Sequence, residues 1–411
     1  MTYFKIKNNF NINFLLLILI SFLPLSLIVG SAINNATIFL IDLIFLYILF
    51  KNKEFKFLNS QTFYILLFLW IVLLINMILS TNIENSLSRS FGFFRFILLV
   101  FAIKYLVKQN KKNQNLIFSL WTIFFLVVSL DILFEFFFGF NTLGFKNNIP
   151  GRISSFLDQE LKIGNYYIGF ILISSSFLYY RFKNSYLLVL LLLIFTAIAL
   201  ITGERSNFIK CFIMIFIFFI FIPKIDYKKK IWGFLLIFLI TSVVINNNYN
   251  LKDRFIVQTF KTISIVNYNP IQYLKHSTYG SHYNAAFKIF KNYPFFGVGL
   301  KNYRIESGKE DYKNSEYIFT DQRKTTHPHQ VHFEILSETG LTGYLSFIIC
   351  FFLILKISIK NFVNKKNFYQ LSGILFVICS FLPLIPSGSF FTTFGATIFW
   401  INFALIETFN D

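Results

Sequence analysis

Apolar runs close to the length of a membrane-spanning helix, about 20 residues, recur along this chain from end to end, most of them separated by charged or asparagine-rich breaks. They fall near 13–30, 36–50, 62–80, 90–107, 115–138, 163–180, 186–202, 206–222, 231–246, 341–360, 367–386 and 389–407. Twelve such runs leave little chain for anything else. The predicted fold class is therefore all-α, a polytopic integral membrane protein with about twelve transmembrane helices. Composition agrees: 55% of the 411 residues are hydrophobic and 14% charged, against roughly 25% charged in soluble domains. The first run follows Lys5 and Lys7, lacks a clear small-residue cleavage site and is followed at once by another run, so it reads as an uncleaved first helix.

The formal net charge of +19 points either to nucleic acid or to an anionic membrane surface. Position decides between them. With a cytoplasmic N-terminus, the inner connections hold nineteen basic residues, from Lys5 and Lys7 to Lys365 and Lys366. The short outer connections hold five: Arg89, Lys146, Arg152, Lys162 and Arg205. The positive-inside rule then places both termini in the cytoplasm and accounts for much of the charge without nucleic acid. The 59 phenylalanines accompany abundant Ile, Lys and Asn, a codon-bias pattern, and carry no functional weight. Cys211, Cys350 and Cys379 lie inside apolar runs with no metal-ligand or redox spacing.

Two outer segments exceed what topology requires, 139–162 and a large loop at 247–340 between the ninth and tenth spans. The loop holds all five histidines, His276, His282, His327, His329 and His332, with eight acidic and twelve basic residues. Without repeats or Pro-rich linkers, the organisation reads as one integral domain over 1–411 with a loop subdomain at 247–340.

The densest constellation runs from Thr325 to Gly343. Pro328 is predicted to open a helix and Gly340 to end or kink it. On such a helix His329 and His332 are neighbours, as are Glu334 and Glu338. An imidazole with an ordinary pKa near 6.5 can take a proton from a hydroxyl, and a carboxylate beside it can orient it. H-x-H-x-x-H also has ligand-like residues, but no cysteine, H-E-x-x-H or second cluster supports zinc. A merely polar loop helix is the third reading.

These residues also carry a resemblance. His329-Gln330, nine residues, then Gly340-x-x-Gly343 resembles the H-[N/S/Q]-x9-G-x-x-G signature of bacterial O-antigen ligases and polymerases. Asn292 to Arg304, which contains Pro294-Phe295-Phe296-Gly297-Val298-Gly299, is similar to the element that precedes that signature. Thr202-Gly203-Glu204-Arg205-Ser206 resembles the family's arginine-bearing outer turn, and Gly151-Arg152-Ile153-Ser154 its earlier outer segment. The four stand in the family's order over roughly 150–345. The resemblance implies a C-type glycosyltransferase-like fold and an inverting, metal-independent glycosyl transfer at the periplasmic face, with no cofactor. The implied donor is a glycan on undecaprenyl diphosphate. The acceptor is a sugar hydroxyl, on lipid A-core for a ligase or on the next repeat unit for a polymerase.

Carried over residue by residue, His329 is the base or acceptor-orienting group, and Arg205 and Arg152 hold the diphosphate. His327, Gln330, Glu334, Gly340 and Gly343 support them. Some relatives have a further arginine before the Gly-Val-Gly element, where this chain reads Tyr279-Gly280-Ser281-His282. His282, Arg304 and Arg323 are the alternatives for that third anion ligand. His329-Gln330 fits the ligase form of the motif. Asp131 and Glu135 share a helix face and either line the acceptor cavity or pair with Arg95. A transporter of lipid-linked sugars is the competing class; it would place broken helices at the midplane with inverted repeats, and neither is evident here.

Overall fold

The computed structural model describes residues 12–146, 149–158, 160–265 and 269–410. Lys5 and Lys7 of the orientation argument lie outside the described residues. Among those described, regular structure is helical, with no strand. The first half comprises α1 (Ile12–Ser21), α2 (Leu23–Val29), α3 (Ser31–Asn52), α4 (Gln61–Ile78), α5 (Ile83–Gly92), α6 (Phe94–Gln109), α7 (Lys111–Phe138), α8 (Ile163–Phe182) and α9 (Ser185–Ile201). The second comprises α10 (Arg205–Ile220), α11 (Tyr227–Asn247), five short helices, and α17 (Val331–Lys365), α18 (Phe368–Ser380) and α19 (Thr393–Thr408). The short helices are α12 (Tyr249–Lys252), α13 (Gln258–Ile265), α14 (Pro270–Lys275), α15 (Thr278–Asn292) and α16 (Tyr303–Glu306).

The lysine and asparagine breaks act as helix caps. α8 ends on a left-handed Lys183 (φ 51°), and the next residue, Asn184, accepts from the Tyr186 and Leu187 amides to open α9. Lys366 (φ 49°) and Asn367 repeat the device between α17 and α18. The left-handed residue satisfies the last carbonyls and the asparagine the first amides, so two residues reverse the chain.

Six helical stretches are long and apolar enough to cross a membrane: Ser31–Asn52, Gln61–Ile78, Ile83–Gln109, Lys111–Phe138, Tyr227–Asn247 and Val331–Lys365. The pair α1 and α2, bent by 53°, is a seventh candidate. The other five predicted spans are helical but fall short of that length or apolarity, so the count of twelve rests on the sequence pattern alone. The belt is studded with exposed Phe39, Phe68, Trp232 and Phe352, apolar surface that lipid would cover.

Nearly every residue of α19 is buried, and it supplies partners to two of the bundle's interior cations. Lys104 Nζ lies 2.7 Å from Glu407 Oε1, and Thr62 Oγ1 donates to the same carboxylate at 2.6 Å. Arg95 donates to Asn35 Oδ1 at 2.7 Å and to Thr393 Oγ1 at 3.3 Å. The expected pairing of Arg95 with Asp131 and Glu135 is therefore corrected. Those two carboxylates anchor the 139–162 segment instead, Asp131 through the Thr142 amide (2.8 Å) and Ser155 hydroxyl (2.5 Å), Glu135 through the Ser155 amide (2.6 Å).

α17 is two helices joined at Gly340 (φ 64°, ψ −167°), the kink expected there. The kink frees backbone groups that the Phe295–Gly299 strap satisfies. Val298 and Gly299 amides donate to the Ser337 and Glu338 carbonyls at 3.1 and 2.8 Å, while Leu341 and Thr342 amides donate to Pro294 and Phe295 carbonyls at 2.8 and 3.1 Å. A Cβ on Gly340 would lie 2.4 Å from the Phe295 carbonyl carbon and oxygen. The two sequence motifs are thus halves of one joint, and each explains the glycines of the other.

Candidate active site

The histidine segment is held open rather than helical. α17 begins at Val331, capped by the Gln330 side chain, whose oxygen accepts from the His332 and Phe333 amides at 2.7 and 3.1 Å. The expectation that Pro328 opens the helix is corrected: His329 is left-handed (φ 57°) and Gln330 extended, so the chain turns before the helix starts. His329 and His332 consequently share no helix face. His332 is fixed between the Phe381 carbonyl (2.8 Å) and the Tyr344 hydroxyl (3.1 Å). Glu334 accepts from the Ser389 hydroxyl and from the Phe390 amide, the latter at 2.8 Å, and Glu338 accepts from the Tyr303 amide at 3.3 Å. Neither carboxylate is hydrogen-bonded to His329, so the expected carboxylate orientation of that ring is also corrected.

What Glu334 and His332 hold is the stretch 381–392, which was read as the end of one span and the start of the next. Pro383, Pro386 and Gly388 break the helix there. Ser387 in this stretch donates its amide to the His329 carbonyl at 2.8 Å, which fixes the left-handed turn.

His327 and His329 line a cavity of about 1210 Å³. Across it stand Arg152, Arg205 and Arg254, with Lys162 and Glu204 beside them. Arg205 leads α10, and its Nη1 donates to the Arg254 carbonyl (3.3 Å) and Thr259 Oγ1 (3.1 Å). Arg254 Nε donates to the Gly203 carbonyl at 2.6 Å. Arg152 Nη2 donates to the Leu161 carbonyl at 2.7 Å and lies 3.8 Å from Glu204 Oε1. Arg254 feels the charges of both Arg152 and Arg205, and among the described residues lining the cavity the one carboxylate is Glu204, so positive charge is in surplus. Burial, with the charges of Arg152 and Arg205, lowers the Arg254 guanidinium to about 10. Such a site is relieved by an anion carrying more than one charge.

His327 and His329 face the arginines as neutral groups, with His282 next to His329 outside the lining. Burial lowers His329 to about 4, with a further push from His327; burial likewise lowers His327 and His282 to about 4. Ring centroids lie 4.1 Å apart for His327 and His329 and 5.1 Å for His282 and His329. His329 is therefore neutral near pH 7, with a lone pair available to a hydroxyl proton. Among the described residues no three His, Cys, Asp or Glu side chains are grouped to hold a metal ion.

Of the alternatives for a third anion ligand, none lines the cavity. His282 is buried behind His329, and Arg304 stands near Arg89 and Glu338, outside the lining. Arg323 is buried in the loop, bound to the Thr320 and Lys309 carbonyls and to Glu310. Arg254, on a different element, lines the cavity beside Arg152 and Arg205. It had no motif to flag it among twelve basic loop residues; its one local signal is structural, a π-turn over Asp253–Val257. Arg89, Lys301 and the 381–392 stretch also line the cavity and were not singled out from sequence.

Residues 187–348 match the family model described as O-antigen ligase. That match covers less than half of the 411 residues and makes this region similar to the O-antigen ligases. No curated protein matches the chain significantly. The matched region runs from α9 to just past the α17 kink and so contains Arg205, Arg254, His327, His329, Gly340 and Gly343; Arg152 precedes it. Gly343 sits one turn beyond the kink, where a Cβ would meet the Thr339 side chain at 2.2 Å.

Arg152 and Arg205 are brought together by a backbone contact that tolerates no side chain. At Gly203 (φ 71°) a Cβ would lie 1.8 Å from the Gly151 carbonyl oxygen. Gly203→Ala is expected to destabilise the fold by about 2–4 kcal/mol and to separate the two arginines. Thermal unfolding in detergent checks it; an unchanged melting temperature would contradict this packing.

Proposed function

We propose that this cavity transfers a glycan from a polyprenyl diphosphate carrier, undecaprenyl diphosphate, to a sugar hydroxyl. The observation that carries the reading is the convergence of Arg152, Arg205 and Arg254 with the neutral His329 on one cavity. The acceptor oxygen attacks the anomeric carbon, the bond from that carbon to the diphosphate oxygen breaks, and the hydroxyl proton passes to the His329 imidazole. Attack opposite the leaving group inverts the anomeric centre. The arginines bind the charge that develops on the departing diphosphate; no step uses a metal or a cofactor.

The charge distribution supports twelve spans with both termini cytoplasmic in a bacterial inner membrane. On that reading the cavity and the 247–340 loop belong to the periplasmic face. Among acceptors we favour lipid A-core, the O-antigen ligase reaction, on the fit of His329-Gln330 to the ligase form of the signature. The lipopolysaccharide ladder of the host with and without this gene tests it. Loss of all O-chain from core with long polymer accumulating on the carrier supports the ligase. Core capped by a single repeat unit would make the protein the polymerase, and an unchanged ladder would contradict both.

The electrostatics also set a pH expectation. Burial and His327 hold His329 near 4, and a bound diphosphate would stabilise the imidazolium and raise it. The acid limb of kcat, which reports the occupied enzyme, should therefore lie above that of kcat/KM, which reports the free one. Coincident limbs in the pH–rate profiles would contradict the assignment.

A further inference from the structure

Lys210 stands apart from this machinery. It lies on α10 five residues beyond Arg205, about 7.5 Å farther along the helix axis at 1.5 Å per residue. Its side chain is 6% exposed, yet it lines the same cavity as Arg205 and Arg254. Among the described residues its ammonium has no hydrogen-bond or ion-pair partner; the Cys379 thiol acts on it electrostatically but is no counterion. The neighbouring turns of α8, α10 and α18 give the cavity Ile168, Ile209, Met214 and Phe376. A buried ammonium without a counterion weighs against folding unless something anionic reaches it, and here the cavity is the open side.

Resting on the diphosphate reading above, we infer that Lys210 is a second phosphate-binding group, which takes the prenyl-linked phosphate of the carrier. The arginines take the glycan-linked phosphate nearer the mouth, and the prenyl chain follows the apolar wall. This orders the ligand along the cavity with its tail toward the bundle interior. It also explains why a lysine serves here. A compact point charge on a flexible stem can follow a phosphate whose position changes when the glycan leaves, whereas the arginine fork fixes one geometry. A phospholipid headgroup presents similar chemistry, so the test must separate the two.

The experiment uses the full chain in nanodiscs of zwitterionic lipid, titrated with undecaprenyl monophosphate and undecaprenyl diphosphate. Lys210→Met keeps the stem and removes the charge. It is expected to weaken monophosphate binding about tenfold and, because an uncompensated charge is gone, to raise the melting temperature of the ligand-free protein. Arg205→Ala is expected to weaken the diphosphate more than the monophosphate. If Lys210→Met binds monophosphate as tightly as the unaltered protein while Arg205→Ala loses diphosphate, the Lys210 assignment fails and the diphosphate reading stands. If phosphatidylglycerol competes as well as the monophosphate and depends equally on Lys210, the site is a headgroup site and the inference is overturned. Failure of the unaltered chain to bind either prenyl phosphate overturns both.

Discussion

His329→Ala should lower the rate of glycosyl transfer about 10³-fold, within the range for removing a general base, while leaving donor affinity within a few-fold. The ring has the requirements of that role: it lines the cavity, it is neutral near pH 7, and its backbone is pinned in a left-handed turn by the Ser387 amide. The low proton affinity comes from burial and the neighbouring His327, which disfavour the imidazolium. A diphosphate held across the cavity reverses that balance, so base strength appears when donor is bound. His332→Ala is the contrast, because His332 bridges Phe381 and Tyr344 and so holds the 381–392 stretch. It should lower the melting temperature and reduce activity through misplacement of that stretch. Single-turnover rates with donor saturating separate the two; full activity in His329→Ala would remove the catalytic assignment.

The second large effect is expected at the arginine cluster. Arg205→Ala removes a guanidinium that also joins α10 to the Arg254 turn through the Arg254 carbonyl and Thr259. Transfer should fall about 10²–10³-fold with donor binding weakened alongside. Arg205→Lys should recover only part, since an ammonium cannot present the two-pronged geometry a phosphate accepts. Arg254→Ala should resemble Arg205→Ala, although nothing in its sequence surroundings marks it. Arg323→Ala should instead lower stability, since Arg323 secures the loop through Thr320, Lys309 and Glu310. Calorimetric donor binding beside transfer rates distinguishes these outcomes; equal losses in Arg254→Ala and Arg323→Ala would contradict the geometry.

The helical architecture was legible because its punctuation is local. Lys183-Asn184 and Lys366-Asn367 each end one helix and open the next, and the Gly340 kink follows from a glycine that interrupts an apolar helix. Of the residues lining the cavity, a motif marked His327, His329, Arg205 and Arg152 in the sequence. Pro328 misled because proline marks a helix start only when the next residues continue it, and here a left-handed His329 intervenes. Glu334 read as a partner for the histidines, yet its true partners lie 55 and 56 residues downstream, Ser389 and Phe390. Arg254 reaches the cavity through a contact with Gly203, 51 residues upstream. Periodicity and spacing report neighbours along one helix, and such contacts between distant segments leave no trace in either.

The most direct measurement is transfer by the purified full chain in proteoliposomes, supplied with undecaprenyl-diphosphate glycan and lipid A-core acceptor, without nucleotide. The account expects a glycosidic product with inverted anomeric configuration, dependent on His329 and Arg205. Movement of the intact donor across the bilayer with no product formed, unaffected by either substitution, would contradict it and leave a transporter in its place.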